Sequence, residues 1–248
     1  MAVRAGFPIH WAVALQGPRT GHPALMIQIR NLSKSYRTPA GRHYVFKDLT
    51  VDIPSGVSVG LIGRNGAGKS TLLRILGGMD RPDCGSVHTD RTVSWPVGLS
   101  SGFQGSMTGR ENVKFVARLY ADKHELPEKV AFVETFAELG KHFDMPMKTY
   151  SSGMKSRLGF GLSMAFDFDY YLIDEVTAVG DASFKAKSAR LMEGKRRQSQ
   201  FLMVSHSMAE IQRLCDAALL LGREGVRYYN QIDEAIEAYK KEEDVQVV

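Results

Sequence analysis

Hydrophobic residues form two kinds of pattern along this chain. Short apolar runs at 57–62, 170–173 and 201–204 have the length of buried strands. At 72–76, and again at 113–119, apolar residues recur every three or four positions, as they do on one face of an amphipathic helix. Strands and helices that alternate in this way predict an α/β core.

The segment from 26 to 57 predicts a small antiparallel sheet ahead of this core. Strands are expected at 27–30, near 43–46 and at 49–53, with a turn at 38–41 where proline and glycine occur. The sequence therefore adds an antiparallel β subdomain to the α/β core.

A helical insertion is predicted at about 99–165. Its first helix begins at a capping box that runs from Thr108 to Glu111. A second helix runs from about Pro127 to Leu139, with Gly140 as the residue that ends it. The insertion separates the phosphate-binding part of the core from its later strands.

The two ends of the chain have weaker patterns. Residues 1–25 show neither pattern. We expect this segment to be a disordered extension, or to lie upstream of a working start at Met26. An ordered N-terminal arm is the alternative. Residues 231–248 are expected to form a C-terminal helix and tail.

Composition limits the class of protein. A chain of 248 residues, 44% of them hydrophobic, can bury one substantial core. Its two cysteines, Cys84 and Cys215, form no CxxC pair, which is typical of a reducing cytoplasm. No apolar run reaches the ~18 residues that a membrane span needs, so a membrane role would require a partner. The net charge of +5 is too small to indicate nucleic-acid binding, and none is expected.

The sequence Gly-Arg-Asn-Gly-Ala-Gly-Lys-Ser-Thr at 63–71 fits the phosphate-binding loop pattern GxxxxGK[ST] between a predicted strand and a predicted helix. Its glycines let backbone N–H groups approach a polyphosphate. Lys69 would reach the β- and γ-phosphates, and Ser70 would offer a hydroxyl to Mg²⁺. The predicted ligand-binding residues are Gly63, Asn65, Gly66, Gly68, Lys69, Ser70 and Thr71. A chance glycine-rich turn is the alternative.

Two carboxylates follow the apolar run at 170–173. A carboxylate at the end of a strand next to the phosphate-loop strand is placed to hold Mg²⁺, and a second can polarise the attacking water. Asp174 is assigned the first role and Glu175 the second. His206, after the run at 201–204, is expected at the same edge of the sheet.

Two further candidates are ambiguous from the residues alone. Ser151, Ser152 and Gly153 begin a predicted helix, which makes them either an ordinary N-cap or a second anion site. Tyr36 precedes the turn at 38–41 and either stacks on a purine or is an ordinary core or surface tyrosine.

Taken in order over residues 26–230, these motifs resemble the ATPase subunit of an ABC transporter, whose nucleotide-binding domain is a P-loop NTPase fold. The resemblance makes 63–71 the Walker A loop and Glu175 the catalytic carboxylate. It makes 151–155 a variant of the signature sequence and 178–181 the D-loop, which ends at Asp181. It also implies an adenine-stacking role for Tyr36, a switch role for His206, and ATP and Mg²⁺ as cofactors.

The glutamine that usually ends the strand before the helical insertion departs from the family spacing. In most members it lies about a dozen residues before a Glu-Asn pair, whereas Gln104 lies only seven before Glu111. Gln104 is nevertheless the candidate for this Mg²⁺ ligand.

Within the family, the sequences at 108–112, 151–154 and 174–181 resemble those of polysaccharide exporters. The chain continues for about twenty residues after the last predicted core strand, which favours capsular polysaccharide export over O-antigen exporters with an added carbohydrate-binding domain. The resemblance implies a homodimer at the cytoplasmic face of the bacterial inner membrane, a separate polytopic permease and a lipid-linked glycan as cargo. Periplasmic and outer-membrane proteins would take the glycan onward.

Other functions remain open at this point. Teichoic-acid and O-antigen exporters are near neighbours of the capsular type. A soluble ABC ATPase of DNA repair or translation would usually carry two cassettes or a long coiled coil. A P-loop kinase has no use for a signature helix, and a GTPase would need an Asn-Lys-x-Asp motif, which is absent from the sequence.

Overall fold

The computed structural model describes residues 25–98, 102–174, 181–205, 207–222 and 225–244. The strands are β1 (Leu25–Thr38), β2 (Gly41–Pro54), β3 (Val59–Gly63), β4 (Cys84–Thr89), β5 (Val93–Pro96), β6 (Tyr170–Asp174), β7 (Gln200–Val204), β8 (Ala217–Gly222) and β9 (Gly225–Tyr229). The helices are α1 (Lys69–Leu76), α2 (Gly109–Tyr120), α3 (Leu126–Ala137), α4 (Ser152–Met164), α5 (Ala182–Arg196), α6 (Met208–Leu214) and α7 (Ile232–Asp244). Apart from Leu25, the predicted extension at 1–25 lies outside the described residues.

The chain forms two compact units. Within the described residues, the core unit comprises 25–95, 169–174 and 198–244, and the helical unit comprises 96–168 and 181–197. Among the described residues, no helix is both long enough and apolar enough to cross a membrane.

A six-stranded sheet in the order β5-β6-β7-β3-β8-β9 forms the centre of the core unit. Strands β6, β7, β3 and β8 run parallel, and β9 returns antiparallel to β8. Their apolar runs are buried almost without interruption, as expected for parallel strands covered on both faces. Consequently the carboxyl ends of β3, β6 and β7 lie along one edge, where ligands of such sheets bind.

The smaller sheet of the core unit has the order β2-β1-β4 and is antiparallel. The turn predicted at 38–41 is present between β1 and β2. In place of separate strands near 43–46 and 49–53, however, β2 is one strand of 14 residues. Asp48 has a φ of 50°, and the pairing register shifts around it. The strand therefore continues through a bulge at the point where the sequence indicated a break.

The helical unit begins with the predicted capping box. The Thr108 hydroxyl accepts from the Glu111 N–H, and the Glu111 carboxylate accepts from the Thr108 N–H, which confirms the start of α2. Helix α3 ends earlier than predicted: its C-cap is Glu138, which has a left-handed φ of 53°, and Gly140, also left-handed, lies two residues further on. The Glu138 carboxylate pairs with Lys187 at 2.6 Å, which joins the end of α3 to α5.

Candidate nucleotide-binding site

The phosphate-binding loop connects β3 to α1, and its glycines adopt conformations that favour glycine. Gly63, Gly66 and Gly68 have φ angles of 154°, 82° and 97°. A Cβ atom on Gly68 would lie 2.3 Å from Val45 Cγ1, whereas one on Gly66 would meet nothing within 4 Å. Gly68 therefore lets the loop pack on β2, and Gly66 leaves its backbone open to a ligand.

Lys69 is held inside this loop. Only 9% of the residue is exposed, and its Nζ donates to the carbonyl oxygens of Gly63 at 2.6 Å and Arg64 at 2.9 Å. Its positive charge therefore lies beside the N-terminus of α1, where the helix dipole also favours an anion. The loop has the electrostatics required for a polyphosphate.

Ser70 and Asp174 meet across the core unit. The Ser70 hydroxyl donates to Asp174 Oδ1 at 3.0 Å. The sequence predicted that the Asp174 strand would lie next to the phosphate-loop strand, and this was wrong because β7 lies between β6 and β3. Helix α1 packs over both β6 and β7, which brings Ser70 to Asp174 nevertheless. A hydroxyl and a carboxylate at this separation are hard oxygen ligands that suit Mg²⁺.

A pocket of about 480 Å³ opens at the loop. Its lining residues are His43, Val45, Asn65, Gly66, Gly68, Lys69, Ser70 and Thr71. Six of these were predicted from the loop motif. The seventh predicted loop residue, Gly63, does not line the pocket, but its carbonyl oxygen accepts a hydrogen bond from Lys69. His43 and Val45 were missed. They are two positions apart on β2 and so share one face of the strand, a signal that the predicted strand at 43–46 already contained.

Tyr36 lies beside the pocket but is not one of its lining residues. It is 42% exposed and pairs directly with His43 between β1 and β2. Directly opposite residues of an antiparallel pair lie on the same face of the sheet. Its hydroxyl donates to Asp80 Oδ2 at 2.7 Å.

The candidate signature residues begin α4 in the helical unit. Ser151 is the N-cap, and its hydroxyl accepts from the Met154 N–H at 3.2 Å. Ser151, Ser152 and Gly153 are all exposed. The start of α4 is therefore an accessible helix N-terminus, as an anion site requires.

Asp181 is the N-cap of α5 and binds three groups. Its Oδ1 accepts from the Ser183 hydroxyl at 2.7 Å and the Phe184 N–H at 2.9 Å, and its Oδ2 accepts from Arg157 Nη2 at 2.8 Å. These bonds, that from Ser183 first, lower the pKa of Asp181 to about 2. The end of the candidate D-loop is thereby tied to α4, which carries Arg157.

Gln104 lies in the helical unit and is exposed. Its N–H donates to Asn112 Oδ1 at 2.8 Å, and its carbonyl oxygen accepts from Asn112 Nδ2 at 3.1 Å. Asn112 is 3% exposed and thus fixes the backbone at Gln104 from inside the unit. The other two predicted residues, Glu175 and His206, lie outside the described residues.

A strand, a glycine-rich loop with a buried lysine, and a helix whose serine meets a strand-end aspartate define a P-loop nucleotide-binding protein. Comparison with known proteins shows which family of P-loop proteins this chain matches. Residues 46–178 match the family model described as ABC transporter. The chain belongs to this family, which confirms the sequence-based resemblance and implies that it binds ATP.

Curated relatives match over nearly the whole chain. The polysialic acid transport ATP-binding protein KpsT of Escherichia coli is 64% identical over 223 residues, which cover 90% of this chain and 100% of the relative. The capsule polysaccharide export ATP-binding protein CtrD of Neisseria meningitidis is 41% identical and covers 86% of this chain and 98% of its own length. O-antigen and teichoic-acid export proteins also match, but only at 35–37% identity.

A solved structure confirms the fold class. The ATP-binding cassette MJ0796, a dimer bound to ADP and Pi, superposes with a TM-score of 0.68. The match covers 83% of this chain and 98% of that one at 20% identity. The chain thus has the fold of an ABC ATPase domain.

Proposed function

We propose that this protein is the ATP-hydrolysing subunit of an ABC exporter that moves a lipid-linked capsular polysaccharide across the bacterial inner membrane. The observation that carries the proposal is the 64% identity to a polysialic acid transport protein along that protein's full length. The weaker identity to O-antigen and teichoic-acid exporters favours capsular cargo over those alternatives.

The nucleotide is MgATP, and the loop residues have separate tasks. Lys69 binds the β- and γ-phosphates, while the backbone around Gly66 donates its N–H groups to them. Ser70 and Asp174 would hold Mg²⁺, and the 3.0 Å hydrogen bond between them supports their assignment as ligands of one ion. Bound Mg²⁺ neutralises charge on the phosphates. Gln104 is a further candidate ligand.

Hydrolysis needs a group that activates water. Glu175 directly follows Asp174 and is assigned the task of orienting and polarising the attacking water. His206 follows β7, whose carboxyl end lies at the same edge of the sheet, and is assigned a contact with the γ-phosphate.

A second copy of the chain completes each site. The exposed helix start from Ser151 to Gly153 offers N–H groups to an anion, and the proposal places it on the γ-phosphate of the partner in a head-to-tail homodimer. Asp181, which also belongs to the helical unit, would contact the nucleotide site of the partner chain. ATP would therefore bind between two chains and hold them together.

The membrane partner is a separate polytopic permease, and we place its contact on the outer face of α2. Phe115 is 58% exposed and Leu119 is 40% exposed, and one helical turn separates them. Lys114 lies beside Phe115 and is exposed. A short amphipathic cytoplasmic helix with an acidic side chain would fit this apolar and basic face.

Affinity purification from detergent-solubilised native membranes tests this proposal. Arg110 is unsuitable for charge reversal because it binds Glu134 and Asp144 within the helical unit. Lys114→Glu combined with Phe115→Ser alters the proposed contact instead, and Lys123→Glu is the matched control at an exposed position of the same unit.

Recovery of a polytopic membrane protein in one-to-one ratio is expected with the wild type and the control. The α2 double variant should lose it. Recovery of only soluble proteins or nucleic acid would contradict the exporter assignment and favour a soluble ABC ATPase.

A further inference from the structure

Asp80, in the segment that follows α1, connects two side chains of β1. Its Oδ1 accepts from Lys34 Nζ at 2.7 Å, and its Oδ2 accepts from the Tyr36 hydroxyl at 2.7 Å. Lys34 Nζ also donates to the Arg81 carbonyl oxygen at 2.6 Å. Each carboxylate oxygen thus holds a different residue of β1.

Asp80 and Lys34 together limit the movement of the Tyr36 ring. Lys34 is 8% exposed, and its Nζ lies 5.0 Å from the centre of that ring. Burial acts to raise the pKa of Asp80, but the hydrogen bonds from Lys34 and Tyr36 lower it overall. Asp80 is therefore a carboxylate at neutral pH and accepts from both partners at once.

The position of Asp80 is fixed by the phosphate-loop helix. The N–H groups of Met79 and Asp80 both donate to the carbonyl oxygen of Arg74, in the last turn of α1, at 2.8 and 3.2 Å. The other end of α1 begins at Lys69 in the phosphate-binding loop. One helix therefore carries the loop at its start and the partner of Tyr36 after its end.

We propose that Asp80 is a positioning residue that sets the Tyr36 ring at the base end of the nucleotide pocket. Tyr36 pairs with His43, and His43 lines that pocket. A Tyr36 ring that is fixed through its hydroxyl therefore lies next to the place where the base of a bound nucleotide would extend from the phosphates. The inference rests on the proposed base-stacking role of Tyr36. It predicts that the tyrosine hydroxyl contributes to nucleotide affinity, although stacking itself needs only the ring.

Binding of two ligands to the full chain separates base recognition from phosphate recognition. The affinities of ATP and of inorganic tripolyphosphate are measured by calorimetry for Tyr36→Ala, Tyr36→Phe, Asp80→Asn and the double variant Tyr36→Phe/Asp80→Asn. Asp83→Asn is the matched control, because Asp83 lies in the same connection between α1 and β4 but accepts from Ser35 and not from Tyr36.

Tyr36→Ala should weaken ATP binding by about 5- to 150-fold, the range of base–aromatic stacking, and leave tripolyphosphate binding unchanged. Tyr36→Phe and Asp80→Asn should each weaken ATP binding by roughly 3- to 10-fold, the scale of one hydrogen bond. The double variant should lose no more than the more affected single variant, since both substitutions alter the same contact. Asp83→Asn should bind ATP like the wild type.

Two results would overturn the inference in different ways. If Tyr36→Ala weakens ATP binding while Tyr36→Phe and Asp80→Asn do not, the ring stacks but Asp80 does not position it. If Asp80→Asn weakens tripolyphosphate as much as ATP, Asp80 supports α1 in general and not the ring. Unchanged ATP affinity in Tyr36→Ala would instead refute the base-stacking role on which the inference rests.

Discussion

The hydroxyl of Ser70 lies 3.0 Å from Asp174 Oδ1, although 104 positions separate the two residues in the sequence. The contact joins the first turn of α1 to the carboxyl end of β6, two strands away from the strand that leads into the loop. Two oxygen atoms of the kind that Mg²⁺ prefers as ligands therefore lie together at the mouth of the phosphate pocket.

Removing the Ser70 hydroxyl or the negative charge of Asp174 should raise the Mg²⁺ requirement of ATP hydrolysis. We expect Ser70→Ala and Asp174→Asn to increase the Mg²⁺ concentration for half-maximal activity by at least about tenfold, since even residues one shell further from a metal have effects of this size. ATPase activity measured against Mg²⁺ concentration checks this. Ser70→Thr keeps the hydroxyl and is the control. A wild-type Mg²⁺ profile in Asp174→Asn would show that the metal binds elsewhere.

Asp181 should make the stability of the helical unit depend on pH in the acid range. Its pKa is lowered from an ordinary value of 3.8 to about 2, chiefly by the Ser183 hydroxyl. A lowered carboxyl pKa stabilises the fold above the unfolded value, and this contribution is lost as the pH falls through the folded value. The window therefore runs from about pH 4 down to about pH 2.

Comparison of wild type with Asp181→Asn isolates this group, because other acids titrate equally in both proteins. The wild type should have the higher Tm at pH 5, and the difference should shrink as the pH falls towards 2. Arg157→Gln, which removes the cation bound to Asp181, should narrow the difference at pH 5. A difference that does not change with pH would mean that the asparagine affects the helix cap alone.

Glu175→Gln should separate ATP binding from hydrolysis. The amide cannot act as a base, so turnover should fall by roughly 10²-fold or more, while the residues that bind the nucleotide are unaltered. ATP should then hold two chains together. Size-exclusion chromatography with and without ATP checks for the dimer, and phosphate release checks turnover. Normal turnover, or a monomer in the presence of ATP, would refute the assigned role.

The order of strands and helices could be predicted because each motif is local. The glycine loop, the capping box at Thr108 and the apolar runs each lie within a few residues of sequence. Strand order could not be predicted in the same way: β7 separates β6 from β3, and sequence spacing carries no information on this. Non-local packing of α1 over β6 decides the Ser70–Asp174 contact.

Residues that act only through tertiary contacts could not be identified from the sequence either. Asp80 has no motif, and its importance appears only when β1 and the end of α1 are brought together. The bulge at Asp48 depends on pairing with β1, so the sequence predicted two strands where β2 is continuous. His43 was within reach, since the alternation of a predicted strand places it beside Val45.

If ATP hydrolysis by this chain drives export of capsular polysaccharide, a block in hydrolysis should be visible in the fate of the polymer in cells. Bacteria that carry Glu175→Gln as their only copy are compared with the wild type for surface capsule and for glycan inside the cell. The Glu175→Gln strain should lose its surface capsule and accumulate lipid-linked polymer in the cytoplasm. Normal surface capsule with no internal glycan would contradict it.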